Sequence, residues 1–205
     1  MPVAVRTQIK DLIIEMGQGN IFFPTDFFHL GSVAAVNMAL SRLATAGFIL
    51  RLGMGIYTYP KMDPVIGILR PSLEEIALAI ANKEQVTIRP TGATALLKLG
   101  LSTQVPTKII YLTNGSSRQI EVGRGEIVFK KTTPKILAIK NDLIFLAVQA
   151  MLTLGKGNVT EEVVMQLKNR LENLDPSQII EDAKLAPDWV RQILFKIKND
   201  LAGNG

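Results

Sequence analysis

Between Phe22 and Tyr59 the chain sets its breakers and apolar positions in an order that few folds can accommodate. Thr25, with Pro24 before it, is placed to cap a short helix, and Asp26 falls in its first turn. That helix should end at Leu30-Gly31, where a glycine can supply the left-handed conformation of a sharp helix–helix turn. Ser32 then caps a second helix running to about Ala46. Val33, Val36, Leu40 and Leu43 recur along it at helical spacing and should pack inward. The opposite face carries Ala34, Met38, Ser41, Arg42 and Thr45, with Asn37 on its flank. Gly47 stops the helix. Two β-rich runs follow, Phe48 to Leu52 and Ile56 to Tyr59, joined by Gly53-Met54-Gly55, a link short enough for a hairpin.

A short helix, a turn, a longer helix and a two-stranded ribbon, in that order, make a winged helix-turn-helix. The outer face of the second helix would then enter a major groove of duplex DNA. Small residues there let a backbone approach the groove, and Asn and Arg side chains pair with adenine and guanine edges. The expected DNA contacts are Ser32, Asn37, Ser41, Arg42 and Thr45 on the helix. Arg51 joins them on the ribbon, where a wing meets phosphate or the minor groove. Val5 to Met16 should be an amphipathic helix whose Ile9, Leu12, Ile13 and Met16 cover the core beneath. The competing reading is a plain helical core piece with an unrelated hairpin, and Arg42 and Arg51 as solvated charges.

Charge qualifies the picture. The net charge is +5 and the isoelectric point about 9.5, which suits a polyanionic partner. The excess lies elsewhere, however. Residues 1–69 hold five basic side chains against four acidic, 70–140 hold eleven against five, and 141–205 hold seven against nine. Phosphate neutralisation dominates affinity for DNA, so one weakly basic winged helix would bind poorly alone. Dimerisation on two half-sites, or help from the basic middle segment, is the expected remedy. A solvated face or a patch for an acidic protein partner is the alternative use of those middle charges.

The absence of cysteine excludes disulfides, cysteine-based zinc sites and thiol catalysis, and fits a reducing cytoplasm. The first residues, MPVAVRTQIKDLII, lack the pattern of a secretory signal. The longest apolar stretch, Leu143 to Leu154, is too short for a bilayer and should be a buried helix of a soluble protein. A cytoplasmic location is therefore expected.

The remaining chain points to an α+β fold in which the N-terminal winged helix-turn-helix is followed by an α+β domain with a small mixed sheet and a helical C-terminus. The expected division is 1–62 for the winged helix, 63–71 for a linker rich in proline, and 72–205 for the second domain. Ser72 with Glu75 is a capping box opening a helix to about Asn82. Val86 to Arg89 reads as a strand and Thr91 to Leu99 as a helix, with Thr91 where an N-cap belongs. Lys108 to Thr113 alternates as a strand, and Asn114-Gly115 is a hairpin signal into Arg118 to Val122. Ile127 to Lys131 is a further strand. Helices are expected over Asp142 to Leu154, Thr160 to Leu174, Pro176 to Lys184 and Pro187 to Leu201, before a glycine-rich tail, Ala202 to Gly205, that should fray.

The segments IFFPTDF, VNMALSRLATAGFILRLGMGIY, RPSLEEIALAI, RPTGATALLKLGLSTQVPTKIIYLTNGSSRQI and IVFKKTTPK together resemble bacterial AbiEi-type proteins. These are the antitoxin and autoregulatory half of type IV toxin–antitoxin systems of the abortive-infection AbiE kind. The similarity runs from about Gln8 to Leu154 and is most specific over GLSTQVP at residues 100–106 and YLTNG at 111–115. The resemblance implies that the winged helix binds its operon's own promoter as a repressor. The second domain would counteract a nucleotidyltransferase-like toxin without a stable complex. It also places antitoxin function from Ser72 onward, with Thr91, Gln104 and Arg118 as the polar residues of the distinctive motifs and no chemical role assigned to them. The alternative is a stand-alone regulator whose second domain senses a ligand or dimerises; a third reading is a protein-binding adaptor.

An enzyme is the rival class, and little supports it. The one histidine, His29, lies among Phe27, Phe28 and Leu30 with no orienting partner in view and reads as a packed or turn residue. Gly115-Ser116 superficially matches the start of a nucleotidyltransferase motif, but only Glu121 and Glu126 precede Asp142 as acids to hold magnesium. No phosphate loop with its lysine is present. No cofactor, catalytic residue or metal site is expected. Trp189, with Val190, Ile193, Leu194 and Ile197, forms a helical stripe that is either core or a partner-facing surface.

Overall fold

Ile9 and Ile13 sit one turn apart on α1 (Val5–Met16) and are fully buried, so this helix lays one stripe on a core. Leu12 packs against the margin of that core, while Met16 is exposed. The computed structural model describes residues 4–202. The chain is α+β and separates into two units, Met1–Glu84 with Ile120–Glu126, and Gln85–Gln119 with Ile127–Gly205.

In the first unit α1 is followed by β1 (Ile21–Phe22), a 3₁₀ helix (Pro24–Leu30), α2 (Val33–Thr45), β2 (Leu50–Gly53) and β3 (Ile56–Thr58). The strands form an antiparallel sheet in the order β1-β3-β2. Phe22 meets Phe27 edge-on at 5.6 Å and stacks on Tyr57 at 6.3 Å, which joins the sheet to the 3₁₀ helix. The core is completed by Val36, Leu40, Leu43 and Ile49.

Three local expectations need correction here. Proline takes the first helical position at Pro24, so the cap falls on Phe23 rather than Thr25. The Asp26 carboxylate accepts the Phe23 N–H at 2.8 Å. Gly31 is extended (φ 171°), not left-handed, and its lack of a side chain makes room for Val5, whose Cγ2 would stand 3.1 Å from an added Cβ. Val33 is exposed. It is the first residue of α2, beyond the end of the core, and the inward stripe is Val36, Ala39, Leu40 and Leu43. The end of α2 is a Schellman motif: Phe48 N–H donates to the Leu43 carbonyl and Gly47 N–H to Ala44, with Gly47 left-handed at φ 72°.

The segment expected to be a linker is folded. β4 (Lys61–Asp63) and β5 (Gly67–Leu69) pair antiparallel, and Asp63 closes the turn by accepting the Val65 and Ile66 N–H groups. Helix α3 (Leu73–Glu84) opens on the expected capping box: Ser72 N–H donates to Glu75 at 2.7 Å, and Glu75 N–H donates to the Ser72 hydroxyl at 3.2 Å. At its other end the Lys83 ammonium lies 4.1 Å from the centre of the Phe23 ring.

The second unit begins with β6 (Ile88–Thr91), α4 (Ala93–Leu99) and β7 (Lys108–Thr113). The hairpin of β8 (Arg118–Val122) and β9 (Gly125–Lys131) follows, its strands contributing to the sheet order β6-β7-β9-β8. β9 thus lies between β7 and β8, and Asn114-Gly115 is no two-residue hairpin turn. The Asn114 side chain instead accepts the Thr87 N–H at 2.9 Å, fastening the loop beside β6, so an Asn-Gly pair here serves a longer-range contact. Five helices complete the unit: α5 (Pro134–Leu137), α6 (Asp142–Leu154), α7 (Glu161–Leu171), α8 (Pro176–Ala183) and α9 (Asp188–Ala202).

Helix α6, capped by Asn141, is buried from Ile144 to Met151 except at Leu146, and the other helices pack around it. Val190, Leu194 and Ile197 of α9 are fully buried, and Trp189 packs half-buried beside them, so this stripe is core. Arg89 lies 3.7 Å from the centre of the Phe145 ring, donates to the Ile139 carbonyl and pairs with Asp142 at 2.6 Å. Burial pulls its pKa below the ordinary arginine value, with Asp142 opposing. Among the described residues no helix is long and apolar enough to cross a membrane.

Candidate functional site

The outward face of α2 is set by what the inward face requires. With Val36, Ala39, Leu40 and Leu43 fixed in the core, Ala34, Asn37, Met38, Ser41, Arg42 and Thr45 are turned to solvent, and all six are exposed. Ser32, also exposed, is the observed N-cap and accepts the Ala35 N–H at 3.3 Å. Thr45 donates its hydroxyl to the Ser41 carbonyl at 3.0 Å. The side chains of Asn37 and Arg42 make no hydrogen bond or ion pair with the described residues, which leaves their donors available to a ligand.

The β2–β3 hairpin presents the sixth expected residue. Its turn is Met54-Gly55, and Met54 is 88% exposed. Arg51 is exposed, and its Nε–H donates to the Gly53 carbonyl at 3.4 Å, which draws the side chain toward the turn. From Ser32 to Pro60 the chain has no aspartate or glutamate, so Arg42 and Arg51 act without a neighbouring carboxylate in that stretch.

Gly53 is tightly enclosed. A Cβ there would lie 2.8 Å from the carbonyl oxygen of Glu121, in the tip of the β8–β9 hairpin, so only glycine lets the two backbones touch. This tip, Ile120–Glu126, belongs to the first unit. Nothing in the sequence announced it: a contact between segments some seventy residues apart leaves no local periodicity.

The three residues of the distinctive motifs do not form one site. Thr91 ends β6 rather than capping α4. Its hydroxyl donates to Gln149 Oε1 at 2.7 Å inside the second unit. Arg118 begins β8, half-buried, with its guanidinium 5.1 Å from the centre of the Phe129 ring. Two strands separate β6 from β8, which places Thr91 and Arg118 on strands roughly 14 Å apart. Gln104 alone is exposed, in the loop before β7.

Other polar groups organise the fold. Asp182, almost fully buried, accepts the N–H groups of Lys140 (2.9 Å) and Asn141 (2.8 Å) beside a cavity of about 310 Å³. His29 is exposed on the 3₁₀ helix, a turn residue rather than a packed one. No group of three His, Asp or Glu side chains among the described residues could hold a metal ion.

Comparison with known proteins yields one family and a distant structural likeness. No curated protein matches the chain. Among solved structures, the chain is similar to the Rv2827c protein from Mycobacterium tuberculosis, at 11% identity and a TM-score of 0.48 over 96% of this chain and 82% of that one. A family model described as DUF6088, a family of unknown function, matches residues 8–179, and the chain belongs to that family.

Proposed function

We propose that the first unit is a winged helix that binds duplex DNA, with α2 as the recognition helix and the β2–β3 hairpin as the wing. The observation that carries this reading is the exposed outer face of α2, where the Asn37 and Arg42 side chains stand uncommitted in a stretch, Ser32 to Pro60, that holds Arg51 and no acidic residue. Asn37 and Arg42 are the side chains suited to base edges. Ser32, Ser41 and Thr45 would hold the helix against the backbone, and Arg51 would meet phosphate from the wing. The resemblance to AbiEi-type proteins supplies the setting: a non-enzymatic, cytoplasmic antitoxin that represses its own promoter and counteracts a nucleotidyltransferase-like toxin.

Binding to the DNA upstream of the chain's own reading frame, followed by fluorescence anisotropy, tests the proposal. The double variant Arg42→Ala, Arg51→Ala should weaken binding by roughly 10- to 10³-fold at physiological salt, since one contact goes to a base and one to phosphate. Equal, salt-sensitive binding by the double variant would refute it.

A further inference from the structure

Arg51 and the tip of the β8–β9 hairpin share one anchor. Arg51 Nε donates to the carbonyl of Gly53, and the backbone of the same glycine rests against the Glu121 carbonyl. Three residues beyond Glu121, in the Gly123-Arg124 turn, stands Arg124. Three residues of chain reach at most about 11 Å, so the Arg124 backbone lies within about that distance of the Glu121 backbone that touches Gly53. Arg124 is exposed and makes no hydrogen bond or ion pair with the described residues. Glu121 and Glu126 lie on the strands to either side, and Arg124 is the one charged residue in the turn itself.

We infer that Arg124 is a second DNA-phosphate contact, delivered to the wing by a hairpin from far along the chain. This rests on the winged-helix reading and extends it to a residue outside the helix-turn-helix sequence. Two guanidinium groups on neighbouring hairpins can hold phosphates on one strand or on the two sides of a minor groove about 6 Å wide. Gly53 lets the two ribbons touch, because a Cβ there would meet the Glu121 carbonyl oxygen at 2.8 Å. The charges of residues 1–84 cancel and the hairpin tip brings Arg124 together with Glu121 and Glu126, so Arg124 acts by its position in the turn and not by net charge. The contact is to phosphate, so it carries affinity without sequence preference.

The test uses the full chain and a duplex from the DNA upstream of its own reading frame, titrated between about 50 and 200 mM salt. Each phosphate contact contributes about 0.9 to the slope of log affinity against log salt. Arg124→Ala should lower that slope by about 0.9 and Arg124→Lys should preserve it, as a point charge suffices for phosphate. Arg51→Ala should lower it by the same amount. An unchanged slope in both Arg124→Ala and Arg124→Glu overturns the inference and leaves the winged helix standing. Failure of the unsubstituted chain to bind any duplex at low salt overturns the DNA reading and this inference with it.

Discussion

At the scale of single residues the contrast is between side chains committed to the fold and side chains left free. Thr91 belongs to the first group. Its hydroxyl is the one hydrogen-bond partner of the Gln149 side-chain amide, whose nitrogen has none among the described residues. Thr91→Val should therefore strand a buried amide and cost about 1–2 kcal/mol, read from the urea midpoint. A role in countering a toxin would show instead as lost protection with the midpoint unmoved. Arg42 and Asn37 belong to the second group, and the sequence already separated the two kinds on α2. Helical spacing identifies which face is apolar, and the polar remainder is exposed by default. The same logic could not place Thr91, because it stands at a strand–helix junction where one residue's shift in boundary turns an N-cap into a strand terminus.

Whole elements were legible where their ends are chemically marked. The Ser72–Glu75 box opens α3 where expected, and Asn141 sets the start of α6. The box also makes a pH prediction. Backbone hydrogen bonding from Ser72, with its hydroxyl adding to it, holds the Glu75 carboxyl below the ordinary glutamate value of 4.5. Its contribution to stability is then fully present above that value and lost as pH falls through the lower, folded value. The melting-temperature advantage of the native chain over Glu75→Gln should persist from neutral pH to about pH 5 and shrink below it; a difference independent of pH would remove the carboxylate from the explanation. Elements fixed by distant partners were harder to read. The two residues of β1 are too few to show alternation, and β4–β5 was hidden by prolines that suggest a linker. Asn114-Gly115 carries the local signature of a tight turn, yet the insertion of β9 beside β7 overrides it.

For the molecule as a whole, charge sets the stoichiometry. With Arg51 and Arg124 as its proposed phosphate contacts, and Arg42 on a base edge, one copy would give a salt slope of about 1.8. A pair on an inverted repeat would double this to about 3.6. Light scattering of the DNA complex should find two copies per operator, and a one-to-one complex with the shallower slope would exclude pairing. The partition of the chain also departs from a simple reading of its sequence, which placed one boundary near residue 63 and assigned everything after 72 to a second domain. The backbone passes from one unit to the other after Glu84, after Gln119 and again after Glu126. Consequently no single cut yields an intact N-terminal piece: a fragment ending at Glu84 forfeits the strip that rests on Gly53, and with it the seat of the β2–β3 hairpin. Anyone trimming this protein to the unit proposed to read DNA must graft residues 120–126 back, or measure a damaged tool.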